Sequence, residues 1–264
     1  MDNTLTPNYQ MIPKVINYCW FGRNPLPELV QKCIASWKRF LPDYEIKEWN
    51  EDNFDVNILP YTREAYQAKK YAFVSDYARF WIIYHYGGLY FDTDVELIKP
   101  IDDIVDKGAF MACEKDCIKN LYYPSVAPGL VIAAEAKHPI YKDLLNLYET
   151  LHFVNNDGSL NLKTVDEYTT ELLIEKGLQK VFDKIQVVQG ISIYPGPYFC
   201  PISSVTKRIS LSDETRAIHH YAATWASSSF SSNLIRVIRR CLPSCVLLWW
   251  NRHKLQKQIK RLEL

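Results

Sequence analysis

The sequence predicts a single α/β domain, and three observations support this fold class. The chain has 264 residues, of which 48% are hydrophobic and 14% aromatic, so it can bury a full-sized core. It has only 9 Gly and 14 Pro, which excludes collagen-like and disordered classes. Its first hundred residues alternate β-rich runs with helical patterns, the order typical of α/β proteins.

The first predicted elements are a strand, a helix and a second strand. Residues 15–21 form a β-rich run that ends at Gly22, and residues 44–49 alternate as a half-exposed strand does. Between them, residues 26–40 carry apolar side chains at helical spacing. One long helix is then predicted over residues 63–86, and residues 89–91 form a short buried strand.

The second half predicts two more helices, over residues 140–151 and 165–176. Three further strands are expected at residues 185–188, 191–194 and 217–221, separated by Gly and Pro. No internal repeat is visible, so a solenoid or a propeller is excluded.

The formal net charge of +1 conceals two oppositely charged parts. Residues 231–264 hold eight Lys or Arg against one acid, a net +7 that leaves −6 for residues 1–230. We therefore expect one main domain over residues 1–230 and a basic amphipathic helical segment over residues 231–264.

Two interpretations of the basic segment remain open. It either packs its apolar side on the body, or lies in the interface of an anionic membrane with Trp249 and Trp250 at headgroup depth. Nucleic acid is not expected as a partner, because the segment has no aromatic ladder or known module. Seven cysteines in no disulfide framework and a polar N-terminus predict a reducing, cytoplasmic compartment. The membrane interpretation of the basic segment would place the protein on the inner face of the cytoplasmic membrane.

The most informative stretch is Asp92-Thr93-Asp94, which follows the buried strand directly. Ligands bind at the carboxyl edge of open α/β sheets, and paired Asp oxygens suit a hard divalent cation that also binds phosphate. An EF-hand is a poor fit, because its sixth and twelfth positions are Leu97 and Asp103. A haloacid-dehalogenase-like phosphohydrolase using Asp92 and Asp94 stays open as an alternative.

The preceding helix adds Ser75, Asp76 and Arg79 within one turn, with the Asp and Arg at i, i+3. Apolar neighbours surround this pair, so we expect it to be partly enclosed. An enclosed Arg beside an acidic site usually holds an anion or a carboxylate.

Four motifs in order resemble the family-32 glycosyltransferases, the enzymes of the DXD sugar-binding region. They span residues 12–225 and are Ile12-Pro13-Lys14-Val15-Ile16 with Trp20-Phe21-Gly22, Ser75-Asp76-x-x-Arg79, Tyr86-Gly87-Gly88-Leu89-Tyr90-Phe91-Asp92-Thr93-Asp94, and Ile218-His219-His220-Tyr221-x-x-Thr224-Trp225. The family includes Och1-type mannosyltransferases and bacterial capsule and O-antigen transferases. The resemblance implies a GT-A fold with a mixed, mainly parallel central sheet, retention of anomeric configuration, and Mn²⁺ or Mg²⁺ as cofactor.

The resemblance also implies a role for each motif residue. Trp20 would lie against the nucleotide base, and Ser75, Asp76 and Arg79 would hold the donor sugar and its phosphate side. Asp92 would contact the ribose or donor sugar and approach the metal, which Asp94 ligates directly. His219, rather than His220, would complete the metal shell, because neighbouring residues of a strand face opposite sides. Thr224 and Trp225 would donate hydrogen bonds to the β-phosphate.

The expected reaction is transfer of a hexose or N-acetylhexosamine from a nucleotide sugar, with UDP favoured over GDP, to a saccharide acceptor. We expect a lipid-linked glycan of bacterial surface polysaccharide synthesis as that acceptor. The sequence singles out no nucleophile, which favours front-face attack. A non-catalytic sugar- or membrane-binding module is the remaining alternative.

Overall fold

The computed structural model describes residues 11–115, 123–203, 206 and 208–222. Its centre is a seven-stranded sheet in the order β2-β1-β3-β6-β5-β8-β7. The strands of this sheet are β1 (Val15–Cys19), β2 (Glu45–Trp49), β3 (Gly88–Tyr90), β5 (Phe110–Ala112), β6 (Ile132–Ala134), β7 (Gln186–Val188) and β8 (Ile191–Tyr194). A separate antiparallel pair joins β4 (Val95–Leu97) to β9 (Ala217–His219).

The sheet is mixed and mainly parallel, which confirms the predicted fold class. Strands β1, β2 and β3 pair in parallel, as do β5 and β8. Because β6 is antiparallel to both β3 and β5, these five strands all run in one direction, and only β6 and β7 oppose them. The carboxyl ends of β1 and β3 therefore lie side by side, where Trp20 and Asp92 follow.

Helices cover both faces of the sheet. They are α1 (Glu28–Phe40), α2 (Pro60–Gln67), α3 (Tyr71–Tyr86), α4 (Asp102–Val105), α5 (Pro139–Glu149) and α6 (Val165–Glu175), with a 3₁₀ turn at Gly196–Tyr198. One buried cluster joins α2, α3, α5 and α6 to one face, and a second joins α1 to the other. The predicted helices 26–40, 140–151 and 165–176 correspond to α1, α5 and α6.

The prediction of one helix over residues 63–86 is wrong, because the chain breaks it into α2 and α3. Lys69 adopts a positive φ of 56°, and the Lys70 amide turns back to donate to the Ala65 carbonyl at 2.8 Å. This hydrogen bond is typical of a Schellman-type helix end, in which a glycine usually occupies the left-handed position that Lys69 takes here. No glycine marks the position, so the apolar pattern runs on across the break.

Buried polar side chains fix the strands that carry the site. Asn17 on β1 is 1% exposed, donates to the Leu89 carbonyl at 3.0 Å and accepts from the Trp49 indole at 2.8 Å. The amide and the indole thus tie β2, β1 and β3 together. On the other face, Trp37 of α1 is fully buried and donates to the Val95 carbonyl at 2.7 Å, which anchors β4.

The basic segment, residues 231–264, and its boundary at residue 230 lie outside the described residues. In the part of the chain that the structure describes, no helix combines the length and the apolar composition that crossing a bilayer requires.

Candidate functional site

Seven predicted site residues line one cleft of about 760 Å³ at the carboxyl ends of β1 and β3. These are Trp20, Ser75, Asp76, Arg79, Asp92, Asp94 and His219. They come from four motifs that are separated by up to about 200 positions in the sequence. Thr224 and Trp225, the two other residues expected here, lie outside the described residues.

Arg79 is the centre of one half of the site. Its side chain is only 4% exposed, and its Nη2 lies 3.0 Å from the Asp76 Oδ1 and 3.2 Å from the Asp92 Oδ1. Its Nε donates to the Ser75 carbonyl at 3.1 Å. One guanidinium therefore holds two carboxylates, one from α3 and one from the turn after β3. Asp92 thus joins the enclosed Asp76–Arg79 pair that the sequence predicts.

The position of Asp92 depends on Gly129, a residue that the sequence analysis did not single out. The Asp92 amide donates to the Gly129 carbonyl at 2.9 Å, and the Tyr90 hydroxyl donates to the Asp92 Oδ1 at 3.0 Å. A Cβ at position 129 would lie 2.1 Å from the Asp92 Oδ2, well inside contact distance. The Pro128-Gly129 dipeptide signals a turn in the sequence, but its contact with Asp92 is visible only in the fold.

Asp94 and His219 form the other half of the site. The antiparallel register of β4 and β9 pairs Val95 with His219, which brings the His219 Nε2 within 3.2 Å of the Asp94 Oδ1. The chain then turns at Tyr221, whose φ is 51°, and the Ala222 amide donates to the Asp94 Oδ2 at 2.8 Å. Both oxygens of Asp94 are thus oriented by the end of β9.

The neighbouring His220 does not face the cleft. Its Nε2 lies 2.8 Å from the Glu96 Oε2, and Lys32 of α1 approaches the same carboxylate at 3.0 Å. Two His–carboxylate pairs therefore flank the β4–β9 ladder, one inside the cleft and one outside it.

Burial and charge shift the pKa values of these groups in opposite directions. Burial raises the pKa of Asp76 to about 7, although the Arg79 charge acts to lower it. Burial would also raise the pKa of Asp94, but the charge and hydrogen bond of His219 and the Ala222 amide outweigh it and hold that pKa below its usual value. The pKa of His219 is raised in turn by Asp94, against the effect of burial.

The donor atoms at Asp94 and His219 fit a divalent cation, though they do not form a complete protein cage. Among the described residues, no group of three or more His, Cys, Asp or Glu side chains converges as a metal site. A carboxylate oxygen and an imidazole nitrogen 3.2 Å apart can share one cation, once the imidazole gives up its Nε2 proton. The other ligands would come from a phosphate-bearing molecule or water.

Trp20 and its neighbours line another part of the cleft. The Trp20 indole donates to the Asn24 carbonyl at 2.6 Å, which restrains the ring. Gly22 follows with a φ of 94°, and a Cβ there would lie 2.3 Å from the Tyr71 ring. The loop after β1 can therefore pack closely on the start of α3 only because position 22 lacks a side chain.

Two more acids on the opposite wall escaped the sequence analysis. Glu114 follows β5, Asp166 lies in the first turn of α6, and both line the cleft. Tyr221 donates to the Glu114 Oε1 at 3.2 Å and contacts the Cys200 Sγ at 3.0 Å. No motif marked Glu114 or Asp166, because isolated acids in loops and first turns are common on protein surfaces.

Comparison with known protein families matches one segment of the chain. Residues 27–111 match a family model described as the glycosyltransferase sugar-binding region containing the DXD motif. The matched segment includes Asp76, Arg79, Asp92 and Asp94. It covers about a third of the chain.

Similar proteins carry related descriptions. Inositol phosphoceramide mannosyltransferase 1 of Schizosaccharomyces pombe is 29% identical over 186 residues, which cover 65% of this chain and 51% of the relative. Uncharacterized glycosyltransferase L373 of Acanthamoeba polyphaga mimivirus is 28% identical over 155 residues, 56% of this chain and 59% of the relative. The chain thus spans between half and three fifths of the length of these two curated relatives.

Among solved structures, the glycosyltransferase GlyE of Streptococcus pneumoniae TIGR4 aligns with 92% of this chain and 64% of its own, with a TM-score of 0.49 and 14% identity. The match of residues 27–111 to the DXD-containing sugar-binding region of glycosyltransferases supports the family resemblance and the transferase class predicted from the motifs.

Proposed function

We propose that the chain is a metal-dependent, retaining glycosyltransferase that moves a hexose or N-acetylhexosamine from a nucleotide sugar to a hydroxyl of a saccharide-bearing acceptor. One observation carries the proposal. A single cleft holds the Asp76–Arg79–Asp92 group beside the Asp94–His219 pair, so that a sugar and a diphosphate can be held by adjacent groups.

The two halves of the site have different tasks in this proposal. Asp76 and Asp92 accept hydrogen bonds from hydroxyls of the donor sugar, while Arg79 favours the ionised form of both carboxylates and holds them in place. Asp94 and His219 would hold the divalent cation, whose positive charge would offset the charge that the diphosphate gains on leaving. Trp20 stacks on the base, and Thr224 and Trp225 donate to the β-phosphate.

The site requires no enzyme nucleophile if the acceptor attacks on the face from which the diphosphate leaves. In that route the leaving phosphate oxygen takes the acceptor proton, and the protein contributes positioning and charge neutralisation. Retention of configuration follows from attack on the same face.

The donor and acceptor are the finer parts of the proposal. We favour a UDP-sugar over a GDP-sugar, and a lipid-linked glycan as acceptor, as in bacterial surface polysaccharide synthesis. The fungal relative is named as an inositol phosphoceramide mannosyltransferase, and a lipid acceptor for this chain would be similar to the one in that name. The basic segment 231–264 would hold the enzyme on an anionic membrane, at the cytoplasmic face.

The experiment is a donor panel. The full chain is incubated with UDP- and GDP-sugars, with Mn²⁺, Mg²⁺ or EDTA, and with glycolipid acceptors in liposomes. We expect metal-dependent release of a nucleoside diphosphate and a glycosylated lipid. Release of inorganic phosphate from phosphomonoesters instead would favour the phosphohydrolase, and liposome binding without turnover would favour a non-catalytic module.

A further inference from the structure

Two buried tyrosine hydroxyls have no role in the proposed reaction. Tyr61 of α2 and Tyr148 of α5 are both 0% exposed. Within the described part of the chain, neither hydroxyl has a hydrogen-bond partner. Buried hydroxyls in folded proteins are almost always hydrogen-bonded, to protein or to enclosed water, because an unpaired one costs about 1–3 kcal/mol.

Both tyrosines cover the face of α3 that carries Asp76. Residues 73, 76, 77 and 80 share this face by helical spacing. The Tyr148 ring lies 5.9 Å from the Tyr77 ring and 6.1 Å from the Phe80 ring. The Tyr61 and Tyr148 rings meet edge to face at 5.1 Å, so the two side chains form one lid over this part of α3.

Phe153 closes the lid on the remaining side. Its ring lies 4.8 Å from the Phe73 ring, one turn before Asp76, and 5.7 Å from the Tyr61 ring. Asp76 therefore emerges from an aromatic surface that includes the buried hydroxyls of Tyr61 and Tyr148, for which the described residues provide no hydrogen-bond partner.

The electrostatics agree with this geometry. Burial raises the pKa of both phenols, and the Asp76 carboxylate raises it further in each case. Asp76 itself is 8% exposed, and its Oδ1 lies 3.0 Å from the Arg79 Nη2. A buried carboxylate needs additional donors to stay charged and oriented.

We infer that Tyr61 and Tyr148 are positioning residues for Asp76, and that their hydroxyls hold its carboxylate through an enclosed water molecule. That this contact orients Asp76 toward the donor sugar rests on the proposed function. Neither tyrosine belongs to a motif of the family resemblance, and both come from helices that do not border the cleft.

The chain provides a matched control on α5. Tyr141 is also fully buried, also has an unpartnered hydroxyl among the described residues, and also contacts the Phe80 ring, at 6.3 Å. Burial raises the pKa of Tyr141 as well, but the charged group that raises it further is Glu135 rather than Asp76. Tyr→Phe at positions 61, 141 and 148 removes one buried hydroxyl each time and keeps the ring.

The first test compares these variants in donor turnover. We expect Tyr148→Phe and Tyr61→Phe to lower kcat/KM about threefold to tenfold, the effect of one lost hydrogen bond, and Tyr141→Phe to leave it within twofold. In an Asp76→Asn background, Tyr148→Phe should have no further effect. Equal effects of Tyr141→Phe and Tyr148→Phe, or full additivity with Asp76→Asn, would overturn the inference.

The second test does not depend on activity. A double-mutant cycle between Tyr148→Phe and Asp76→Asn, measured by denaturant unfolding, should show coupling, and a cycle with Tyr141→Phe should not. A crystal structure at high resolution should place an ordered water between the two hydroxyls and Asp76. If the wild-type chain transfers no sugar while the coupling is found, the proposed function fails and the positioning role stands. Absence of coupling refutes that role.

Discussion

The two His–carboxylate pairs beside the β4–β9 ladder have the same chemistry and different surroundings. Asp94–His219 and Glu96–His220 are related by the alternation of a strand, and their N–O distances are 3.2 and 2.8 Å. Asp94 and His219 line the cleft, whereas Glu96 faces Lys32 on the other side. The two pairs therefore match in residue type, and the direction in which the strand presents each pair decides which of them lines the cleft.

The largest expected effect separates the two acids. Asp94→Asn keeps the shape but removes the charge that binds the cation, so transfer should fall about 10²- to 10³-fold. Glu96→Gln, the matched change outside the cleft, should leave transfer within about threefold. Steady-state release of nucleoside diphosphate measures both, and similar losses in the two variants would mean that the pairs do not differ as described.

The histidines should differ next, in cation binding rather than in folding. His219→Gln removes the imidazole beside Asp94, and we expect Mn²⁺ affinity to fall by at least about tenfold. His220→Gln should leave the affinity unchanged. Electron paramagnetic resonance of free Mn²⁺ during titration gives both constants, and weaker binding by the His220 variant alone would reverse the assignment.

A change at Gly129 tests the other acid of the motif. In Gly129→Ala the new methyl group would overlap the Asp92 Oδ2, so Asp92 must move or the fold must strain, at a cost of about 1–3 kcal/mol. We expect turnover to fall about tenfold. Gly177→Ala is the control, because a Cβ there meets nothing within 4 Å. An alanine at its φ of 110° would strain the backbone at a position that does not line the cleft. Equal loss of turnover in both would point to general destabilisation.

The smallest expected effect lies at the outer pair. Lys32→Ala removes an exposed cation, 60% accessible, from Glu96. Surface ion pairs contribute little, so the free energy of unfolding should change by less than about 1 kcal/mol and turnover should not change. Urea denaturation measures the first quantity. A loss of activity would show that the outer pair supports the cleft after all.

The sequence predicted the convergence of the site better than its detailed contacts. Asp92 and Asp94 follow a buried strand, and the edge rule for α/β sheets is enough to place them in a cleft. The shared guanidinium of Arg79 and the approach of Gly129 to Asp92 join segments far apart in the chain. Such contacts depend on how helices and loops pack, which no local pattern encodes.

The errors in the fold prediction have the same origin. The break between α2 and α3 depends on a left-handed Lys69, which composition does not signal because lysine rarely adopts this conformation. Strands β4, β5 and β6 have three residues each, too few to show a period, and their pairing makes them strands. Glu114 became part of the site only through this pairing.

The central claim is that the cleft takes a nucleoside diphosphate together with a divalent cation held by Asp94 and His219. Isothermal titration of UDP and GDP into the full chain, with Mn²⁺ and with EDTA, tests it most directly. We predict binding that requires Mn²⁺, is lost in Asp94→Asn and is retained in Glu96→Gln. Binding that is equally strong in EDTA, or equally affected by the two substitutions, would contradict the claim.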